Sequence, residues 1–229
     1  MANLINKKLL TVAGIVLFIA FIGFSYFVAK ETFTQLDFDI TVKIQDKIPR
    51  RVDYIFSWFS VLGSYQVTGV IWFVMFFLLL FKRFWITAFS LFLLPLALAI
   101  EVFGKVFVHH PAPPVLFYRG VLHVELPLHY VHDLYSYPSG HETRTAFLIV
   151  FLMLYIYFRR GRLFQLITQP VLFGILTIMT VSRIYLGEHW TTDVVGGFLI
   201  GTSFGILSGI TIPVRHKRTE ELKEPQEAS

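Results

Sequence analysis

The chain has no cysteine. That excludes disulfides, thiolate nucleophiles and cysteine-ligated metals, and it leaves the redox compartment unread. Charge is also scarce. Only 15% of the 229 residues are Asp, Glu, Lys or Arg, against about 25% in an average soluble domain. The few charges lie in short groups between long apolar runs, the pattern of a chain partitioned between lipid and water. The net charge of +5 is spread over the ends of these runs and forms no single patch, so nucleic acid is not an expected partner.

What is abundant is apolar surface, with 55% hydrophobic and 17% aromatic residues. The run from Leu9 to Ala29 follows Lys7 and Lys8. At 1.5 Å per residue it crosses a hydrocarbon core of about 30 Å. It is longer than the apolar region of a signal peptide and has no small-residue cleavage site before Lys30, so it is read as a retained first span. Residues 33–48 place Phe33, Leu36, Ile40, Ile44 and Ile48 at near four-residue spacing, with Asp37, Lys43, Asp46 and Lys47 between them. This predicts an amphipathic interfacial helix ended by Pro49. Further spans are expected at about 61–81, 84–108 (kinked at Pro95), 143–158, 164–181 and 190–212. The fold class is therefore an all-α membrane protein with six transmembrane helices and an interfacial amphipathic helix. It forms one domain over 1–214, with a charged tail, expected to be disordered, over 215–229.

Six spans put both termini on one side. Lys7/Lys8, Lys82/Arg83, Arg159/Arg160/Arg162 and Arg215/Lys217/Arg218 all fall on that side, which makes it cytoplasmic. The 30–53 segment on the other side is charged with mixed signs. The opposite face also carries the 109–141 loop, the 182–190 turn and seven of the eight histidines.

Three polar groups end or begin helices at that face: Lys105; Pro138-Ser139-Gly140-His141; and Ser182-Arg183 with His189 and Asp193. Ser139 followed by Glu142 fits a capping box at the start of a helix. The same cap also offers free N–H groups as an anion site, a glycine for close approach and an imidazole that titrates near neutral pH. His189 and Asp193, four residues apart, share a helix face, so the carboxylate can orient one ring nitrogen and leave the other as base or nucleophile. Equally, they fit a buried histidine beside a capping aspartate. Arg183, across a short turn containing Gly187, can grip phosphate bidentately. Lys105 either joins this group or snorkels and pairs with Glu101 at i, i+4 spacing.

These motifs resemble those of the type 2 phosphatidic acid phosphatase family of integral membrane lipid phosphatases, and most closely its bacterial phosphatidylglycerophosphatase B type. That family shows Lys-x6-Arg-Pro, Pro-Ser-Gly-His and Ser-Arg-x5-His-x3-Asp. The second motif is complete at Pro138–His141 and the third at Ser182–Asp193. The resemblance implies that His189 is the nucleophile forming a phosphohistidine, oriented by Asp193. His141 is the implied acid and base, and Lys105, Arg183, Ser139 and Gly140 hold the phosphoryl oxygens. The first motif departs from the pattern, because Ala112 stands where arginine is expected. His109, His110 or Arg119 is expected to supply replacement charge.

No cofactor or obligate protein partner is expected beyond the bilayer and a lipid phosphate. A metal site built from His109, His110, His123, His129, His132 and Asp133 fits no fixed ligand spacing. Gly197, Gly201, Gly205 and Gly209 form a small-residue ridge expected to pack within the monomer. The expected activity is hydrolysis of phosphatidylglycerol phosphate at the outer face. The alternatives are undecaprenyl diphosphate or phosphatidic acid as substrate, phosphotransfer to an acceptor lipid, and a non-catalytic phospholipid binder or transporter.

Overall fold

In the computed structural model, residues 2–122 and 135–214 are described. His123, His129, His132 and Asp133 of the metal reading, and the 215–229 tail, lie outside them. Helices α1 (Ala2–Ala29), α2 (Thr34–Lys47), α3 (Asp53–Leu62), α4 (Tyr65–Phe81), α5 (Trp85–Ser90), α6 (Leu93–Val108), α7 (Gly140–Arg159), α8 (Arg162–Tyr185) and α9 (Thr191–Gly209) follow in order. Among the described residues there is no strand, only an isolated bridge between Pro111 and Tyr135.

Among the described residues four helical stretches are long and apolar enough to cross a membrane: Asn6–Ala29, Trp85–Val108, Arg162–Tyr185 and Thr191–Gly209. The stretch Arg50–Leu62 with Tyr65–Phe81 makes a fifth, bent by 46°. Their outward faces are rows of exposed Val, Ile, Leu and Phe, such as Ile15, Ile19 and Ile22 on α1, as a lipid-facing surface requires. The chain is a multi-pass membrane protein.

The kink expected at Pro95 falls one turn earlier, at Leu91–Phe92, and Pro95 occupies the first turn of α6. A proline there leaves the carbonyl four residues back without its helical donor. That carbonyl belongs to Leu91, and it accepts from the Trp72 indole at 3.0 Å. The predicted second span is broken at Gly63–Ser64, where Ser64 caps α4 by accepting from Val67 N–H at 3.4 Å.

The core of the bundle is α7 packed on α9. Gly197 and Gly201 make this approach possible, since a Cβ at Gly197 would run into the Ser139 carbonyl and one at Gly201 into the Thr143 carbonyl. Gly205 and Gly209 continue the ridge against Phe147 and Leu154, so it packs inside the monomer. This contact places the start of α9 beside the start of α7.

Helix α2, predicted as an interfacial helix, has its polar stripe turned inward. Asp37, Thr41 and Gln45 are buried, while Leu36, Phe38 and Val42 are exposed. Gln45 of this stripe donates to the Phe117 and Tyr185 carbonyls at 2.7 and 2.8 Å, and the Thr41 hydroxyl has no partner.

Candidate active site

Ser139 caps α7, its hydroxyl accepting from Glu142 N–H at 3.4 Å. The reciprocal half of the expected capping box is missing. The Ser139 N–H donates instead to the Asp193 carbonyl at 2.9 Å, so α9 takes the bond that Glu142 would have made. The Glu142 carboxyl, fully buried, accepts from Thr180 at 2.8 Å, and its other oxygen has no partner. The Glu101 carboxylate lies against Gly140, in the space a side chain there would take. A carboxylate thus already approaches the positive end of α7, the position read as an anion site.

Lys105 pairs with that same Glu101 at 3.3 Å. Arg183, 5% exposed, donates to the Ser60 hydroxyl of α3 and forms an ion pair with Glu188. Its Nε has no partner. Both predicted cations therefore stand on carboxylates. Gly187, with φ +67 and its backbone against the Phe117 carbonyl, forms the turn that returns the chain from Arg183 to His189.

Asp193 is fully buried in the first turn of α9. Its Oδ2 accepts from Trp190 N–H at 2.9 Å and faces His189 Nδ1 at 3.5 Å. Its Oδ1 is bound by His110 Nδ1 at 2.9 Å. His141, Arg183, Arg144 and His189 lie within electrostatic reach of one another. A narrow cleft beneath them is lined by Phe59, Gly63, His141, Glu142, Thr145, Met179 and Arg183. All seven residues predicted from the motifs thus stand at the ends of α6, α7, α8 and α9. The approach of Gly140 to Glu101, the bond from Ser139 N–H to the Asp193 carbonyl, and the cleft that His141 shares with Arg183 join these helix ends.

A family model for the PAP2 superfamily matches residues 85–217. The chain belongs to the PAP2 superfamily. Its fold is similar to that of a transmembrane PAP2-type phosphatidylglycerolphosphate phosphatase from Bacillus subtilis. There the TM-score is 0.68 at 16% identity, over 85% of this chain and 93% of the other. LpxE from Aquifex aeolicus is similar with a TM-score of 0.55 at 23% identity, over 76% of this chain and 94% of the other. An undecaprenyl-diphosphatase of Sulfolobus acidocaldarius is 38% identical over 79 residues, 32% of each chain. The chain thus spans about a third of the length of the curated relative it matches.

Within this PAP2 chain the residues expected to replace the arginine absent at Ala112 are otherwise engaged. Arg119 donates to the Gln45 carbonyl at 2.9 Å and lies over the Tyr185 ring. His109 is exposed, edge-on to Tyr135, and His110 is held by Asp193. Another guanidinium is in reach. Arg144, one turn into α7, brings Nη2 to 3.5 Å from both His141 Nδ1 and the Gly63 carbonyl, and its Nε is buried without a partner. Such long contacts leave a buried cation under-satisfied. The signal in the sequence was its place three residues after His141, on the same helix face. Among the described residues no cluster of three or more His, Cys, Asp or Glu is arranged to hold a metal ion.

Proposed function

We propose that this protein hydrolyses a lipid phosphomonoester or diphosphate at the non-cytoplasmic face, through a phosphohistidine on His189. The observation that carries the reading is His189 on Asp193 at the start of α9, joined through the Ser139 N–H to the capped start of α7, where His141 and Arg183 line one cleft. In the first step the free ring nitrogen of His189 attacks phosphorus while the bond to the leaving oxygen breaks, and His141 gives that oxygen its proton. In the second step water attacks phosphorus, the N–P bond breaks, and His141 takes the proton from the water. Lys105, Arg183 and the backbone at Ser139 and Gly140 hold the phosphoryl oxygens. The incoming phosphate takes over cations that now pair with Glu101 and Glu188.

In this reading α7 is the sixth span, and both termini are cytoplasmic. The polar residues His141, Glu142 and Arg144 in its first turns lower its apolarity, as expected of a helix that lines a phosphate site. The domain covers 1–214, and the reaction uses no metal or other cofactor and no obligate protein partner.

Phosphatidylglycerol phosphate is the favoured substrate, supported by the fold shared with the Bacillus subtilis phosphatase over most of both chains. The local identity to the Sulfolobus protein favours undecaprenyl diphosphate as the second reading. The test is phosphate release by purified protein in excess chelator, from a panel that also contains phosphatidic acid. The expected result is turnover, fastest on phosphatidylglycerol phosphate. Fastest release from the diphosphate would move the assignment to the second reading, and loss of activity with chelator would overturn metal independence. Capture of phosphate by an acceptor lipid would indicate phosphotransfer, and no release from any lipid would leave a binder.

Arg144 takes the place of the missing arginine in this scheme. A hydrogen bond to a charged group contributes about 1.5–3 kcal/mol, or roughly a ten- to hundred-fold rate effect. Arg144→Gln is expected to lower kcat/KM by about that factor, measured on the best substrate of the panel. An effect under threefold would remove Arg144 from the site.

A further inference from the structure

Asp193 uses both carboxylate oxygens, and only one serves His189. The other binds His110, whose ring is 6% exposed. The second nitrogen of His110, Nε2, lies 3.8 Å from Asp37 Oδ2. Asp37 in turn accepts from Thr192 N–H at 2.9 Å and from the Thr192 hydroxyl at 2.6 Å. A continuous chain thus runs from the interfacial helix to the candidate nucleophile: Asp37, His110, Asp193, His189. We propose that Asp37 and His110 are positioning residues for the phosphatase reaction, holding the Asp193 carboxylate and the first turn of α9 in the register that orients His189. This rests on the function proposed above.

The local structure is shaped for this contact. His109 ends α6 with φ +53, a left-handed conformation that an L-residue adopts at a cost. The turn directs the next residue inward, and the His110 carbonyl is fixed by Ser136 N–H at 2.9 Å. Asp37 is 1% exposed on a helix whose apolar side chains face outward, so α2 is docked through its polar stripe. Two buried carboxylates flanking one imidazole are costly unless the ring is charged. The groups facing His110 are Asp193 from α9, Asp37 from α2, Glu31 from the turn after α1, and the Tyr137 ring edge-on from the loop before α7. Burial opposes protonation of His110. The Asp193 hydrogen bond and the charges of Asp193, Asp37 and Glu31 outweigh it and raise the pKa above the ordinary imidazole value.

His189 Nδ1 has no hydrogen-bond partner within normal range and is 3.5 Å from Asp193. The orientation of His189 therefore depends on a carboxylate that His110 and Trp190 N–H hold still. Losing the His110 contact frees Asp193 to rotate, which affects the chemical step and leaves the phosphate ligands in place. A residue of this kind changes kcat and leaves KM alone.

The test compares His110→Phe, His110→Asn and Asp37→Asn in full-length detergent-purified protein. Asparagine can place an N–H donor near the position of the imidazole Nδ1 but does not titrate. His110→Phe is expected to lose about tenfold or more in kcat with KM within twofold, and His110→Asn to recover to within threefold of native. Thermal stability gives a readout independent of activity. With the folded-state pKa raised, the stabilisation from protonated His110 is fully present below about pH 6.5 and is lost as pH rises through the folded value. The native melting temperature should fall over that window, the fall should begin at lower pH in Asp37→Asn, and it should be missing in His110→Asn.

An active native protein with His110→Phe turning over within twofold of native overturns the positioning role alone. So does equal loss of kcat in His110→Phe and His110→Asn, or an unchanged pH dependence of stability in both His110→Asn and Asp37→Asn. If His110→Phe does not fold, the stability curves and the kcat of His110→Asn and Asp37→Asn decide the question. A native protein inactive on every lipid phosphate overturns the functional reading, and the positioning role with it.

Discussion

Replacing His189 with alanine is expected to lower kcat at least about 10³-fold on every lipid phosphate, because no other group can form the covalent intermediate. The ring packs at the surface end of α9, and its side chain is 12% exposed. Without the ring Asp193 keeps its bonds to Trp190 N–H and His110, so the fold should survive. Steady-state phosphate release and the melting temperature in detergent check both parts. A variant that kept its rate and only weakened substrate binding would mean that His189 is a ligand and not a nucleophile.

His141→Gln should be nearly as damaging, with a loss of about 10² to 10⁴-fold, the usual contribution of general acid–base catalysis. The loss should depend on the leaving group. A lipid alkoxide leaves badly without a proton, whereas the p-nitrophenolate of p-nitrophenyl phosphate leaves well. With the aryl substrate the first step should be largely spared and hydrolysis of the intermediate should remain slow, so a burst of nitrophenol should precede slow turnover. Equal loss on both substrates, without a burst, would assign His141 to phosphate binding.

The placement of the candidate site was legible in the sequence because its parts are local motifs anchored to helix ends. Ser139 announces the start of α7, and the spacing of His189 and Asp193 is one helical turn. Topology then carries the separate motifs to a common end of the bundle. The four-residue glycine ridge likewise announced the close packing of α9, which the structure directs onto α7.

The supporting residues were not legible, since their partners are set by tertiary packing. Asp37 stood among the charged positions between the apolar ones of an amphipathic helix, and nothing local indicates that its stripe turns inward to meet Thr192. Glu188 and Glu101 gave no sign that they would hold the two cations of the site. Arg144 stands one turn behind a cap motif, and its approach to the Gly63 carbonyl is set by tertiary packing. Glu142 fitted a capping box by spacing, but the Asp193 carbonyl competes for the Ser139 N–H and wins through the close approach of α9. The break before Pro95 follows the rule for proline, with its position set by the Trp72 indole that takes the Leu91 carbonyl.

The central claim is a covalent bond between phosphorus and His189. Its most direct test is rapid quenching of purified protein during turnover of a lipid phosphate labelled in its phosphoryl group, followed by peptide mapping. The account predicts an acid-labile, alkali-stable label on the peptide containing His189, absent in His189→Ala. Turnover with no label on the protein, or with the label on another residue, would contradict it.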